Sequence, residues 1–180
     1  MTIESESAQP LVLRADDIEP FIHPGDAGYA SQHVLGREAM GGGHDLLLNR
    51  GTVAPNYALG GGNHPDNDEI YYGVSGHCMV DLGGDPNSGE GSETFRLDEG
   101  MIAFIPKGTF HRLRNESDQP FVLLTIWPQP AERGANGIHD LRLDSWGTGF
   151  RLRDGRTVER DSSTARVTDA NAGWDPLQKS

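Results

Sequence analysis

Two short stretches of this chain carry side chains able to hold a metal ion. The first, Gly60–Gly76, contains His64 and Glu69; the second, Gly100–Asn115, contains His111. Two imidazoles and a carboxylate set among turn residues are the donors of an open metal site on a rigid β scaffold. His64 and Glu69 are five residues apart, which would put them on opposite faces of one unbroken strand. Pro65-Asp66-Asn67-Asp68 between them favours a turn or bulge that re-phases the chain, so both side chains can point inward. Tyr71, two residues beyond Glu69, then shares its face. In the second stretch Pro106-Lys107-Gly108 predicts a type I turn, with Pro second and Gly fourth, joining strands Ile102–Ile105 and Phe110–Leu113. His111 then lies at the mouth of the second strand.

Such a site needs short strands to position it, and the rest of the chain supplies them. With 24 glycines and 11 prolines among 180 residues, many strands joined by turns are favoured over helices, and all-β is the expected class. From His44 onward, short apolar or alternating runs cut by Gly, Pro, Asn and Asp predict strands at 45–49, 51–59, 69–74, 77–82, 93–97, 101–105, 109–115 and 120–127. Eight short strands fit a jelly roll. Asp85–Ser92 combines breakers with no apolar anchor and reads as a solvated hairpin tip. Upstream, Leu11-Val12-Leu13 reads as an edge strand, 15–19 as at most a helical turn before Pro20, and 21–43 as an extended arm. Downstream the barrel pattern stops at Trp127-Pro128. The chain thus divides into an N-terminal arm (1–43), a barrel (44–127) and a C-terminal extension (128–180) that packs partly on the barrel or on a neighbouring subunit.

A net charge of −12 repels phosphate backbones and anionic membrane surfaces, so nucleic acid and lipid are poor partners. The single cysteine, Cys78, leaves no internal disulfide and no cysteine-rich zinc site; it reads as a small core residue. No run approaches the roughly 18 apolar residues of a membrane span and the first residues lack a signal pattern, so a cytoplasmic protein is expected.

The two stretches resemble the two motifs of the cupin superfamily, double-stranded β-helix (jelly-roll) barrels that commonly hold one divalent metal inside. The second matches G-x5-P-x-G-x2-H-x3-N at Gly100, Pro106, Gly108, His111 and Asn115. The first matches the latter part of G-x5-H-x-H-x(3,4)-E-x6-G at His64, Glu69 and Gly76, with Gly62 where the family has its first histidine and Asn56 where it has its leading glycine. Carried over residue by residue, the resemblance implies His64, Glu69 and His111 as metal ligands and a cupin barrel with extended N- and C-terminal arms. Asp66, or His44 reaching across the barrel, are alternatives for a further ligand.

Two histidines and one carboxylate form the facial set of non-haem Fe(II) oxygenases. The leading expectation is therefore a metal-dependent oxygenase or dioxygenase acting on a small polar metabolite. Fe(II) is the favoured ion, with Mn, Zn, Ni or Co as alternatives. A second reading is an isomerase, epimerase or lyase that uses the metal as a Lewis acid while a barrel residue moves the proton. A third is a non-catalytic small-molecule-binding barrel. Tyr71 and Tyr57 are the candidate catalytic proton donors. The resemblance also implies a homodimer.

Overall fold

Alternation of apolar and polar residues at the strand period builds the walls of this molecule. The structure, a computed structural model, describes residues 14–22, 27–35, 46–128, 150–155, 157–160 and 165–168. After a 3-10 turn at Ala15–Asp17 come β1 (Phe21–Ile22), β2 (Tyr29–Leu35), β3 (Leu46–Val53), β4 (Tyr57–Ala58), β5 (Glu69–Ser75), β6 (His77–Leu82) and β7 (Glu93–Asp98). They are followed by β8 (Ile102–Ile105), β9 (His111–Asn115), β10 (Phe121–Pro128), β11 (Phe150–Arg151), β12 (Thr157–Arg160) and β13 (Ala165–Thr168). A six-stranded sheet, β1-β2-β3-β10-β5-β8, faces a four-stranded one, β4-β9-β6-β7, and β11–β13 form a third, small sheet. The expected all-β jelly roll is the observed architecture.

Between the two large sheets lies the core, with Val53, Val80, Ile105, Leu113, Phe121 and Leu123 almost wholly enclosed. Along β10 the buried positions are Phe121, Leu123, Thr125 and Trp127, one face of the strand. Cys78 is part of this core, as expected, and burial pushes its thiol up to about 12.

Several boundaries differ from the sequence reading. The expected strand 51–59 breaks at Pro55-Asn56, where Asn56 takes a left-handed φ of 53°, and Tyr57–Ala58 continues in the opposite sheet. Part of the expected arm, 29–35, pairs with β3 and so extends the barrel sheet upstream of residue 44. The turn after β8 is closed by Thr109 N donating to Pro106 O at 3.1 Å, one residue later than expected. Gly108 is therefore its third residue, with φ 73°, the position where a type II turn requires glycine. The strands it joins do not pair with each other; β8 belongs to one sheet and β9 to the other. The proposed edge strand at 11–13 and most of the C-terminal extension, 128–180, lie outside the described residues; Leu152 is buried and bridges Ile18.

β9, which carries His111, is fixed from both faces. Inward, Asn115 donates to Val53 O (3.1 Å) and Gln119 O (2.8 Å) and accepts from Ser117 N and Oγ. Outward, Arg112 and Arg114 both clamp Asp81 of β6, with Nε-to-oxygen distances of 2.9 Å each, and Thr94 Oγ1 adds a bond at 2.7 Å. Asp81 is 2% exposed, and hydrogen bonding by Arg114 above all holds its carboxyl well below the usual carboxylate range. A carboxyl depressed in the folded state favours folding above its unfolded pKa of about 4, and that advantage is lost as pH falls below it. Asp81→Asn is therefore expected to lower stability at pH 7 by about 2 kcal/mol and to flatten the acid limb of the stability profile. Denaturant melts at pH 7 and pH 3 check this; unchanged stability at pH 7 would show that the cluster contributes nothing.

Candidate metal centre

His64, Glu69 and His111 come together at one mouth of the barrel. Their ligand atoms all lie within 4.8 Å of one another. Glu69 opens β5 on its inward face, 4% exposed; His111 opens β9 on the facing sheet; His64 lies in the turn-rich segment before β5. Backbone bonds join the two stretches. Gly62 and His111 form a two-bond bridge (3.1 and 2.8 Å), Gly108 N donates to His64 O (2.7 Å), and Lys107 N donates to Asp68 Oδ1 (2.9 Å). Gly61 lies so close to the Phe110 ring that any side chain there would collide with it.

The polarity of the atoms decides what this arrangement can do. His111 Nδ1 sits 3.1 Å from Thr109 O, and a carbonyl only accepts, so Nδ1 carries the proton. Burial, the largest influence, holds His111 below the usual imidazole range, so the ring is neutral near pH 7 and Nε2 presents a lone pair. That lone pair faces Glu69 Oε2 at 3.4 Å, while His64 Nε2 lies 3.5 Å from the same oxygen. Glu69 Oε2 is buried and has no hydrogen-bond partner. A buried acceptor ringed by imidazole nitrogens fits a cation, and His64, Glu69 and His111 are the residues that would hold a divalent metal.

Of the remaining sequence candidates, Tyr71 is at the site. It is 5% exposed, meets the His111 ring edge-on at 6.0 Å, and its phenol is held well above the ordinary range by burial first, then by the charge of Glu69. It therefore stays protonated, able to donate. Tyr57 is not there: it pairs with Asn115, four residues along β9 from His111, and lines a surface pocket with Asn56, Arg114 and Glu116. The turn at 54–56 moves it to the far end of the barrel. Asp66 is exposed and outside the cluster, and His44 lies outside the described residues.

Gly62 holds the place of the missing histidine. A Cβ built there meets nothing within 4 Å, so the side facing that position is open. Sequence reasoning missed Trp127, whose indole lies parallel to the His64 ring at 6.3 Å and 11°. The alternation of 121–127, with Phe121 and Leu123 inward, was the signal that could have placed it. It also missed the polar group beside the site, where Asn49 Nδ2 donates to Tyr29 OH (2.9 Å) and to Thr125 Oγ1 (3.2 Å), and Ser31 Oγ donates to Asn49 Oδ1 (2.7 Å).

Residues 49–127 match the model of a cupin domain. That stretch of the chain is a cupin domain. Over 76 residues it is 32% identical to a glucose-6-phosphate isomerase of Thermococcus kodakarensis, a match covering 42% of this chain and 39% of that relative. Among solved structures it resembles a Thermotoga maritima protein described as a predicted oxalate decarboxylase (TM-score 0.55, 22% identity, 67% of this chain, 100% of that one). It also resembles the oxalate decarboxylase of Lactobacillus farciminis (TM-score 0.53, 21% identity, 63% of this chain, 32% of that one). A Klebsiella pneumoniae protein with a double-stranded β-helix domain is matched over 80% of this chain and 97% of its own (TM-score 0.52, 16% identity). At these identities the structural matches establish the cupin fold.

The geometry predicts the behaviour of the ligand set. His111→Ala and Glu69→Gln are expected to lose most of the metal that the wild-type chain takes up at one ion per chain, with the circular dichroism unchanged. Gly62→His, entering open space, is expected to hold metal longer against a chelator. Elemental analysis before and after chelation measures both; a His111→Ala protein with wild-type metal content would remove the centre.

Proposed function

We propose that this cupin is a metal-dependent enzyme acting on a small polar metabolite, and specifically a non-haem Fe(II) oxygenase of the dioxygenase type. The observation that carries the reading is the set of two imidazoles and one carboxylate with open space at Gly62, which leaves coordination positions on one side free for substrate and O2. Fe(II), when bound, would supply the redox chemistry that activates O2 beside a chelated substrate. The chain does the rest. His64, Glu69 and His111 set the geometry, and the buried Tyr71 phenol supplies a hydrogen bond or proton from the barrel side. Trp127 and the core beneath it keep bulk water from that side.

A second reading, isomerase, epimerase or lyase, is favoured by the relative that is itself an isomerase. There the same ligands would hold Mn or Zn, and Tyr71 would move a proton without oxygen. Anaerobic loading with Fe(II), Mn(II) or Zn(II), then oxygen-electrode assays over a panel of hydroxy and keto acids, separates the two. Substrate-dependent O2 uptake by the Fe(II) form alone is the expected result. Turnover by the Mn or Zn form without O2 would establish the second reading, and failure to take up any metal would leave a binding barrel.

The partner we propose is a second copy of this chain, seated on the outer face of the six-stranded sheet. Two cross-strand rows, Leu124–Tyr72–Ile102 and Ile126–Ile70–Phe104, lie there without a charge among them, and Ile102 and Phe104 are 66% and 59% exposed. In a chain of net charge −12, an uncharged face is where two copies meet with least repulsion. Light scattering is expected to give a dimer mass at micromolar concentration and a monomer mass for the Ile102→Lys/Phe104→Lys variant with metal content retained. A monomeric wild type would end this proposal.

A further inference from the structure

Among the described residues, two buried side-chain polar atoms lack a hydrogen-bond partner: Glu69 Oε2 and Trp127 Nε1. Both residues flank His64, Glu69 at 3.5 Å and the indole stacked at 6.3 Å. The register explains the juxtaposition. Thr125 pairs with Tyr71 and Ile126 with Ile70, so the next step places Trp127 level with Glu69, and both face inward. The two orphans are of opposite kinds. Glu69 lacks a positive partner, which a metal ion supplies. Trp127, 4% exposed, lacks an acceptor, which no cation can supply.

The wall below is likewise set to donate. Asn49 Nδ2 occupies acceptor positions of Tyr29 OH and Thr125 Oγ1, leaving each hydroxyl its proton to give, and Thr125 is two residues from Trp127 on the same face. Charge narrows the ligand further. A divalent ion with one carboxylate and two neutral imidazoles is left with one positive charge, which a monoanion balances. A phosphate ester would bring two negative charges to a centre left with one positive charge.

We propose that Trp127 Nε1 donates a hydrogen bond to an oxygen of the metal-held ligand, and that this makes Trp127 the residue selecting a small monocarboxylate able to chelate, such as a 2-hydroxy acid. The proposal rests on the metal-site reading above. Its test uses the full chain loaded with Zn(II), which is diamagnetic and redox-silent, with glycolate and inorganic phosphate as probes. Trp127→Phe keeps an aromatic ring beside His64 and removes the N–H together with the fused five-membered ring, so the indole N–H resonance of the wild type is the readout that isolates the hydrogen bond. Zinc stoichiometry, calorimetric affinity and the indole N–H resonance of 15N-labelled protein are measured together. Expected are one zinc per chain in both proteins, glycolate binding about tenfold or more weaker in Trp127→Phe, weaker binding of phosphate than of glycolate, and a downfield move of the Trp127 indole resonance when glycolate is added to the wild type. The resonance in the wild type answers even if the variant fails to fold. Zinc bound with equal glycolate affinity in both proteins, with an unmoved indole resonance, or with phosphate preferred overturns this inference alone and leaves the metal centre standing. Absence of zinc uptake overturns the metal reading and this inference with it.

Discussion

A carboxylate oxygen and two imidazole nitrogens are held within a few ångströms of one another, and the oxygen has no hydrogen-bond partner among the described residues. Glu69 Oε2 is buried without a donor, His111 Nε2 faces it, and His64 Nε2 completes the group. Left alone such a cluster spreads or draws in water, because burying a carboxylate oxygen unpaired is costly. Here the backbone keeps it closed. The Gly62–His111 bridge and the Gly108–His64 bond fix the two donor stretches to each other independently of their side chains. The site is therefore preformed, and a cation entering it meets donors whose ordering cost has been met by folding.

That constraint reaches outward through β9. Its inward residues, His111, Leu113 and Asn115, serve the site, the core and the turn to β10, while its outward residues, Arg112 and Arg114, anchor it to Asp81 on β6. A one-residue slip of this strand would send His111 to solvent and Arg112 inward. Asn115, with both carboxamide ends bonded, and Asp81, with its oxygens shared among two guanidiniums and Thr94, make such a slip expensive from both faces. The outward face of the sheet thus sets the phase of the inward face that carries His111.

How much of this could be read from the chain follows from how local the cause is. Gly100, Pro106, Gly108, His111 and Asn115 act within one turn and one strand, so their spacing exposes them directly. Glu69 and Tyr71 follow from a two-residue period once Pro65–Asp68 re-phases the chain. The pairing of β2 with β3 was invisible, since Tyr29–Leu35 has no alternation that distinguishes a paired strand from an extended arm. Tyr57 misled because an apolar run on paper, 51–59, is cut by Asn56 in a left-handed conformation and continues in the other sheet. Trp127 and Asn49 were missed for a third reason. Their role arises from cross-strand register, and register between β3, β10 and β5 is set by partners dozens of residues away.

Register also divides the inner wall of the large sheet into layers with different tasks. Val53, Phe121 and Leu123 close the bottom with hydrocarbon. Above them Asn49, Thr125 and Tyr71 form a row of hydrogen-bonding groups, and above these Trp127 and Glu69 lie level with each other. Polar groups this deep survive only when each finds a partner. Asn49 satisfies its neighbours within the protein, whereas in the layer above it Glu69 Oε2 and Trp127 Nε1 have no hydrogen-bond partner among the described residues. Gly62 adds room to this layer rather than a further polar group, since a Cβ built there meets nothing within 4 Å.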